Sequence, residues 1–238
     1  KPRQVEIDQY HSYTWEVRLQ NDYVAGKIHN TLVAGLRYIH NNLHRQQLGA
    51  GTTGTDFDLR LTTPQFGRNM RLKTQNMAFF AENLWRINPR LDLSAGVRIE
   101  NGESQMSGVI AYLPNEKVPQ DIIHKYPLWG FNGQYKLNNF NKIYGGWSQA
   151  YRPVVFSDIV PATPLEQTDP NLKDAFGYNT EWGIKGMLWQ RFTYDVNFFQ
   201  ILYKNRVGSL VLTDENGASY VWKTNIGDSK TNGIELYV

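Results

Sequence analysis

Apolar and polar residues alternate with a period of two along much of this chain. In one segment the apolar positions are Phe192, Tyr194, Val196 and Phe198, and the polar positions are Thr193, Asp195 and Asn197. Successive side chains of a β-strand point to opposite faces, so this segment is predicted to form a strand with one apolar and one polar face. The same pattern recurs along the chain in segments of about ten residues.

These segments predict about nine strands, joined alternately by short and long connections. Turn-forming residues place the short connections near Gly26, at 88–90, at 138–141 and near Gln190. The long connections are the polar stretches 45–73, 102–125 and 153–170 and a segment containing 214–217. Short turns on one side and long loops on the other are typical of an antiparallel transmembrane β-barrel, which is the all-β fold class that we predict.

Composition agrees with a barrel and excludes some other classes. The mean hydropathy of −0.52 and the 41% of hydrophobic residues suit strands that show apolar side chains to lipid only at alternate positions. The sequence contains no run approaching the roughly 18 to 20 apolar residues of a spanning helix, which excludes a helical membrane protein. A formal charge of +3 with dispersed basic residues does not indicate a nucleic-acid partner.

Two motifs resemble known sites, but their context favours ordinary structure. The segment 49–54 fits the G-x-G-x-x-G pattern of dinucleotide-binding proteins, yet no helical pattern follows it, and we interpret it as a flexible loop. His40 and His44 have the spacing of a helical metal pair. On a strand this spacing separates them by about 13 Å, too far to share one ion.

Two charged groups have a structural and a functional interpretation. Asp214, Glu215 and Asn216 could bind a hard cation, but a solvated hairpin tip is the interpretation that we favour. Glu181 and Lys185, both on the polar face of a strand, could steer an ion or pair across the lumen, and pairing is the interpretation that we favour. The sequence contains no recognisable local set of nucleophile, base and orienting residue, so we predict no catalytic residues and no enzyme.

Several segments together carry a resemblance to a known family. They are 78–85 (AFFAENLW), 91–98 (LDLSAGVR), 146–153 (GWSQAYRP), 171–173 (NLK), 178–183 (YNTEWG), 225–227 (NIG) and 233–236 (GIEL). In their order and spacing they resemble the TonB-dependent outer-membrane receptors, and the nearest likeness that we propose is to the ferric dicitrate receptors of that family. The resemblance covers the chain from about residue 10 to its end.

The resemblance implies a larger protein. Receptors of this kind are 22-stranded barrels with a plugged lumen. Residues 1–238 are therefore expected to be part of the β-barrel domain, with the plug domain and the TonB box not in this chain. The resemblance implies energy-coupled uptake of an iron chelate, ferric citrate or another siderophore, across the outer membrane of a Gram-negative bacterium. The implied partners are the TonB–ExbB–ExbD complex, the chelate and the lipid bilayer, and no cofactor is expected because the ferric chelate is the transported ligand.

Cations and amides in the long loops are the groups that would bind an anionic ferric citrate complex, because charge-assisted hydrogen bonds to carboxylates are strong. The candidate ligand-binding residues are Arg45, Gln46, Gln47, Arg68, Arg152 and Gln167. For each of these residues taken singly, an ordinary solvated side chain is the interpretation that we favour. No metal-binding residues are predicted.

Three other classes remain open at the level of the sequence. A passive porin or adhesin barrel would share the same strands without energy coupling. A soluble β-sandwich would bury the alternating apolar face in a shared core, although long loops at one end fit it poorly. An outer-membrane enzyme would need a catalytic set that the sequence does not reveal.

Overall fold

A nine-stranded antiparallel sheet forms the body of the computed structural model, which describes residues 2–55, 57–115, 118, 120–189 and 191–238. The elements are β1 Gln4–Ala25, β2 Ile28–Ala50, β3 Thr63–Asn88, β4 Leu91–Ile110, β5 Gln120–Lys136, β6 Lys142–Arg152, α1 Phe156–Ile159, β7 Glu166–Thr168, β8 Ala175–Leu188, β9 Phe192–Lys204, β10 Val207–Thr213, β11 Ser219–Asn225 and β12 Ser229–Tyr237. The large sheet has the order β1-β2-β3-β4-β5-β6-β8-β9-β12, and β10, β11 and β7 form a separate small sheet. The predicted all-β antiparallel class is confirmed, and the roughly nine predicted strands correspond to the nine strands of the large sheet. Within the described residues, no helix has the length and apolar character to cross a membrane.

The register of the large sheet confirms that each strand has an apolar and a polar face. Val196 lies opposite Ile184 on one side and Leu236 on the other, whereas Asn197 lies opposite Gly183 and Glu235. Residues directly opposite each other on antiparallel strands share a face. The apolar positions therefore line up across strands into one continuous apolar face, and the polar positions line up on the other.

The short turns lie at one end of the sheet, which we call the turn end. Gly26 adopts a φ of +63°, a left-handed conformation that favours glycine. At the β3–β4 turn, the side-chain oxygen of Asn88 accepts hydrogen bonds from the backbone N–H groups of Arg90 (2.9 Å) and Leu91 (3.0 Å). Asn138 does the same for the β5–β6 turn, as predicted for asparagine in turns. The turn predicted near Gln190 is centred on a residue outside the described ranges.

The strands extend further toward the opposite end, the loop end, than the sequence predicts. The polar stretch 45–73 was expected to be a loop, but β2 continues to Ala50 and β3 begins at Thr63. Likewise, β4 and β5 occupy most of 102–125, and β1 starts at Gln4. The prediction was wrong because a strand that has left the lipid needs no apolar face, while its backbone pairing continues.

Side chains at the loop end of the polar face are buried. Along β4, Glu100, Ser104 and Met106 are less than 9% exposed, while the intervening residues on the other face are exposed. The small core here consists of Met70, Met106, Ile110 and Val118, packed against Leu72, Tyr112, Leu113, Phe156 and Val160. The connections after β4 and β6 therefore fold inward onto the polar face of the sheet.

Glycines on the polar face leave room for rings from neighbouring strands. The ring–glycine pairs are Phe80 with Gly35, His124 with Gly102, Tyr144 with Gly183, and Phe199 with Gly233. The Phe80 ring also lies 5.7 Å from the guanidinium carbon of Arg18 and 5.8 Å from that of Arg98. A glycine has no side chain to pack on the sheet, and a ring that covers it fills that space.

We predict that Gly35→Val destabilises the barrel and that Gly130→Val does not. A Cβ at Gly35 would lie 2.5 Å from Cζ of Phe80 and 2.5 Å from the carbonyl oxygen of Val17, so ring and backbone must both shift. Overpacking of this kind costs about 1–3 kcal/mol. Gly130 lies on the same face, but its nearest neighbour would be 4.0 Å away. Urea unfolding of the refolded full-length protein measures the stability of both variants. An equal loss of stability in the two variants would refute the ring–glycine interpretation.

Candidate functional site

Two long connections at the loop end are joined by a strand pair. The connection 153–174 contains α1 and β7, and the connection 205–228 contains β10 and β11. β7 pairs in parallel with β11, with Glu166 opposite Val221 and Gln167 opposite Trp222. These two connections therefore form one unit, which we call the loop module.

The β10–β11 hairpin of the loop module follows from its sequence. Both strands are rich in β-branched and aromatic residues, and residues 214–218 separate them. The Asp214 carboxylate accepts hydrogen bonds from the backbone N–H groups of Asn216 (2.9 Å) and Ala218 (2.8 Å), and Gly217 has a φ of +80°. The predicted hairpin tip is confirmed, with the Asp214 carboxylate holding the turn. The described residues contain no group of three or more histidine or acidic side chains that could hold a metal ion.

Ion pairs fasten the loop module to the sheet and to itself. Nη2 of Arg152, at the end of β6, lies 2.9 Å from the buried carboxylate of Asp158 in α1. The other oxygen of Asp158 accepts a hydrogen bond from the backbone N–H of Val155 (3.0 Å). Within the module, Nζ of Lys223 lies 2.8 Å from Glu166. Both connections are thereby held in one position relative to β6.

Hydrogen bonds lower the pKa of two carboxyl groups in the loop module. Burial by itself would raise the pKa of Glu166, but hydrogen bonds from Lys223 and from the backbone N–H of Ala162 outweigh it, and the pKa lies below its ordinary value of 4.5. The Thr224 hydroxyl donates to Asp169 over 2.7 Å and lowers the pKa of that carboxyl. Both groups therefore remain charged at neutral pH and keep their contacts between the two connections.

Tyr112 links a third connection to this unit. Its hydroxyl lies 2.7 Å from the carbonyl oxygen of Pro161 and 3.0 Å from that of Ala162. Nη2 of Arg68, on β3, donates to the same hydroxyl over 3.3 Å. The loops after β4, β6 and β9 thus meet at the loop end of the sheet.

The structure separates the six candidate ligand-binding residues into two groups. Arg45, Gln46, Gln47 and Arg68 were expected in a loop, but they lie in β2 and β3, where Gln47 is opposite Arg68. Arg45, Gln47 and Arg68 share the polar face, whereas Gln46 points to the opposite face because side chains alternate. The second group is Arg152, which ends β6, and Gln167, which lies in β7. The predicted loop position was wrong for the first group, and a binding role for all six stays a prediction.

The three arginines among these candidates differ in whether they have N–H donors without a hydrogen-bond partner. Arg45 binds two carboxylates, Asp8 at 2.6 Å and Glu6 at 3.1 Å. By contrast, Nε of Arg68 and Nη1 of Arg152 are buried and have no hydrogen-bond partner among the described residues. Buried donors are nearly always satisfied in folded proteins, by protein or by bound molecules. Arg68 and Arg152 are therefore the candidates with N–H groups available to an anion.

Other charged and aromatic side chains that the sequence singled out have ordinary partners. Nζ of Lys185 lies over the Tyr144 ring at 5.0 Å, and the ion pairs of the described residues include neither Glu181 nor Lys185, so the structure does not show the expected pairing. His40 stacks on Tyr13, with ring centroids 4.9 Å apart, and both His40 and His44 are on strand β2, as predicted. The residues 49–54 end β2 and enter a short loop.

Tyr112 and Asp158 contribute to this site but were not among the candidate residues predicted from the sequence. Asp158 had a local signal, since an acidic residue in the first turn of a helix accepts hydrogen bonds from free backbone N–H groups. Tyr112 had none, because its partners are about fifty positions away: Arg68 precedes it by 44 residues and Pro161 follows it by 49.

Comparisons with solved structures agree with this architecture. The chain is similar to the ferric citrate transporter FecA (TM-score 0.73, 18% identity, 97% of this chain and 32% of that chain). It is also similar to the ferric-catecholate import receptor Fiu from E. coli K12, with a TM-score of 0.71 and 15% identity over 96% of this chain and 35% of that chain. For the copper transporter OprC the TM-score is 0.71 and the identity 14%, over 97% of this chain and 36% of that chain. At these identities the likeness establishes the fold alone, and the chain spans about a third of the length of each structure.

A family comparison extends over nearly the whole chain. No curated relative matches the sequence significantly. The family model described as TonB dependent receptor-like, beta-barrel, matches residues 3–238. This match covers all twelve strands, including those of the loop module. The chain therefore belongs to the TonB-dependent receptor β-barrel family.

Proposed function

We propose that this chain is part of the barrel of an outer-membrane receptor that takes up an iron chelate, ferric citrate or another siderophore, by energy-coupled transport. The observation that carries the proposal is the pair of buried, unpartnered arginine donors, Nε of Arg68 and Nη1 of Arg152, beneath the joined loops. Iron chelates of this kind present carboxylate or other oxygen anions. Charge-assisted N–H···O bonds to such groups are short and strong.

Membership of the family supports the proposed location and partners. β-Barrels of this family are outer-membrane proteins, and we place the protein in the outer membrane of a Gram-negative bacterium. Energy would come from the TonB–ExbB–ExbD complex, acting on a plug domain with a TonB box outside residues 1–238. The family is one of receptors and transporters, which fits a protein without enzymatic activity. In this account the ferric chelate is the transported ligand, and no cofactor is needed.

A passive porin is the alternative, and the inward-folded loops argue against it. Open diffusion needs a water-filled channel along the polar face. In this barrel, instead, Met70, Met106 and Ile110 are buried on that face by the connections after β4 and β6. Loops that pack onto the polar face suit selective capture better than free passage.

The binding proposal is tested with Arg68→Gln in the full-length receptor. Arg68 and Arg71 lie on the same strand, but Arg71 is exposed on the other face, so Arg71→Gln is a control with the same change of charge. Loss of a charge-assisted hydrogen bond costs about 1.5–3 kcal/mol, or roughly 10- to 100-fold in Kd. We expect Arg68→Gln to weaken binding of at least one chelate in a panel of ferric citrate and other siderophores, with Arg71→Gln unchanged. Equal affinities of both variants and wild type would contradict the assigned site.

A further inference from the structure

The dipeptide Asn-Gly occurs four times in the chain, and the structure places one copy outside the large sheet. Three copies are in strands of that sheet: 101–102 in β4, 132–133 in β5 and 232–233 in β12. The fourth, Asn216–Gly217, lies in the hairpin tip between β10 and β11. All four asparagines are exposed. Exposure therefore does not distinguish the four copies, whereas the backbone around them does.

An asparagine that precedes glycine can react with its own backbone. The glycine nitrogen loses its proton and attacks Cγ of the asparagine, a C–N bond forms, and the amide nitrogen leaves as ammonia. Water then opens the resulting succinimide ring at either carbonyl, which leaves aspartate or isoaspartate. Glycine permits ring closure because it has no Cβ to hinder the attack and its backbone adopts more conformations than that of other residues. Water is the co-reactant, and no enzyme is needed.

The copies in the large sheet are held in a conformation that opposes ring closure. To bring the glycine nitrogen to Cγ, the peptide between the two residues has to rotate out of the extended conformation. Gly102 is paired with Asn76 on β3 and with His124 on β5, and Gly133 is also paired on both sides. Gly233 is paired with β9. Rotation at these positions breaks the pairing between strands, so it requires the large sheet to open.

The hairpin tip is held only locally, and Asp214 takes part in its hydrogen bonds. The carbonyl oxygen of Asp214 accepts from the N–H of Gly217 (3.0 Å), and its own N–H donates to the carbonyl oxygen of Ala218 (2.9 Å). Its carboxylate accepts from the N–H groups of Asn216 and Ala218. Residues 214–218 are all exposed. Exposed segments with few hydrogen bonds open at low free energy, so the tip can open while the large sheet stays folded.

We propose that Asn216 is a site of spontaneous conversion to aspartate or isoaspartate, and that Asp214 sets the rate by keeping the tip closed. The attacking nitrogen of Gly217 is free to rotate only when its bond to the Asp214 carbonyl is broken. Conversion adds a negative charge beside Glu215. Isoaspartate also adds one backbone atom, so the bonds from Asp214 to residues 216–218 cannot all form again. The modification therefore loosens the tip of the loop module as the protein ages.

Incubation of the folded full-length protein in heavy-oxygen water tests the proposal. The water that opens the succinimide leaves a heavy oxygen atom in the product, so peptide mass spectrometry counts only the conversions that occur during the incubation. We expect Asn216 to be converted, with Asn101, Asn132 and Asn232 unchanged over the same time. The same protein unfolded in urea is the reference, because all four copies should react once the strands are unfolded.

Asp214→Ala tests the role of Asp214, and Glu215→Gln is a control that removes the neighbouring negative charge. The side chain of Glu215 takes no part in the tip hydrogen bonds described above. Removing the Asp214 carboxylate should raise the open population of the tip, and with it the conversion rate of Asn216, about 2- to 10-fold. Glu215→Gln should leave this rate unchanged.

Two results would overturn the inference. If Asn216 in the folded protein is converted no faster than Asn101 and Asn132, although all of them react in urea, the tip protects its asparagine as well as the sheet does. If Asp214→Ala and the wild type are converted at the same rate, Asp214 does not control the reaction. Neither result depends on chelate binding, so this inference and the proposed function fail independently.

Discussion

Val196→Arg is expected to prevent stable insertion of the barrel. Val196 lies in the middle of the apolar face between Ile184 and Leu236, and this face meets the lipid in a protein of this family. An arginine on the lipid face costs about 2–4 kcal/mol near the bilayer midplane. The variant should be depleted from the outer membrane and should unfold at lower urea concentration when refolded into lipid vesicles.

Asn197→Arg provides the matched control. Asn197 is the next residue of β9 and lies on the polar face, where Glu235 on β12 is directly opposite. An arginine there faces the barrel interior and a carboxylate, so we expect normal insertion. If the two variants have equal stability in detergent and in bilayers, the assignment of the faces is wrong.

Arg152→Ala is expected to loosen the loop module. The substitution leaves the Asp158 carboxylate, which is 5% exposed, with the backbone N–H of Val155 but without its cationic partner. An unsatisfied buried acceptor costs about 1–3 kcal/mol. Each 1.4 kcal/mol by which the closed loop module is destabilised should raise the population of the open module about ten-fold. Cleavage within 153–174 by a protease added to intact cells measures this population.

Two further variants isolate the cause of that effect. Arg152→Ala combined with Asp158→Asn removes both charges and should restore much of the protease resistance, because no buried charge is then left without a partner. Arg45→Ala breaks a pair that is about one-third exposed and should cost at most about 1 kcal/mol. An equally large effect at Arg45, or no rescue in the double variant, would mean that the Arg152–Asp158 pair does not hold the module.

The part of the fold that lies in lipid was predictable from the sequence. The alternation around Val196 assigns both faces of β9, because the bilayer requires apolar side chains on one side only. The turns at Asn88 and Asn138 were predictable because asparagine stabilises such turns by local hydrogen bonds. Both signals are local, and the chain carries them within a few residues.

The loop end was less predictable because its structure depends on distant contacts. Nothing near Arg45 indicates that β2 continues, since the polar strand is held by backbone bonds to β3. The small sheet requires β7 to pair with β11, more than fifty residues away. The surroundings of the candidate site were hidden for the same reason, since Arg68 contacts the loops through Tyr112, which lies 44 residues further along the chain.

Uptake of radiolabelled iron by cells that express the full-length protein is the most direct test of the central claim. Cells with and without a functional TonB protein would receive the chelate that the protein binds best. We expect accumulation that requires both the receptor and TonB, with surface binding unchanged when TonB is absent. Equal accumulation with and without TonB would mean that the barrel is a passive channel, and the proposal of energy-coupled uptake would be wrong.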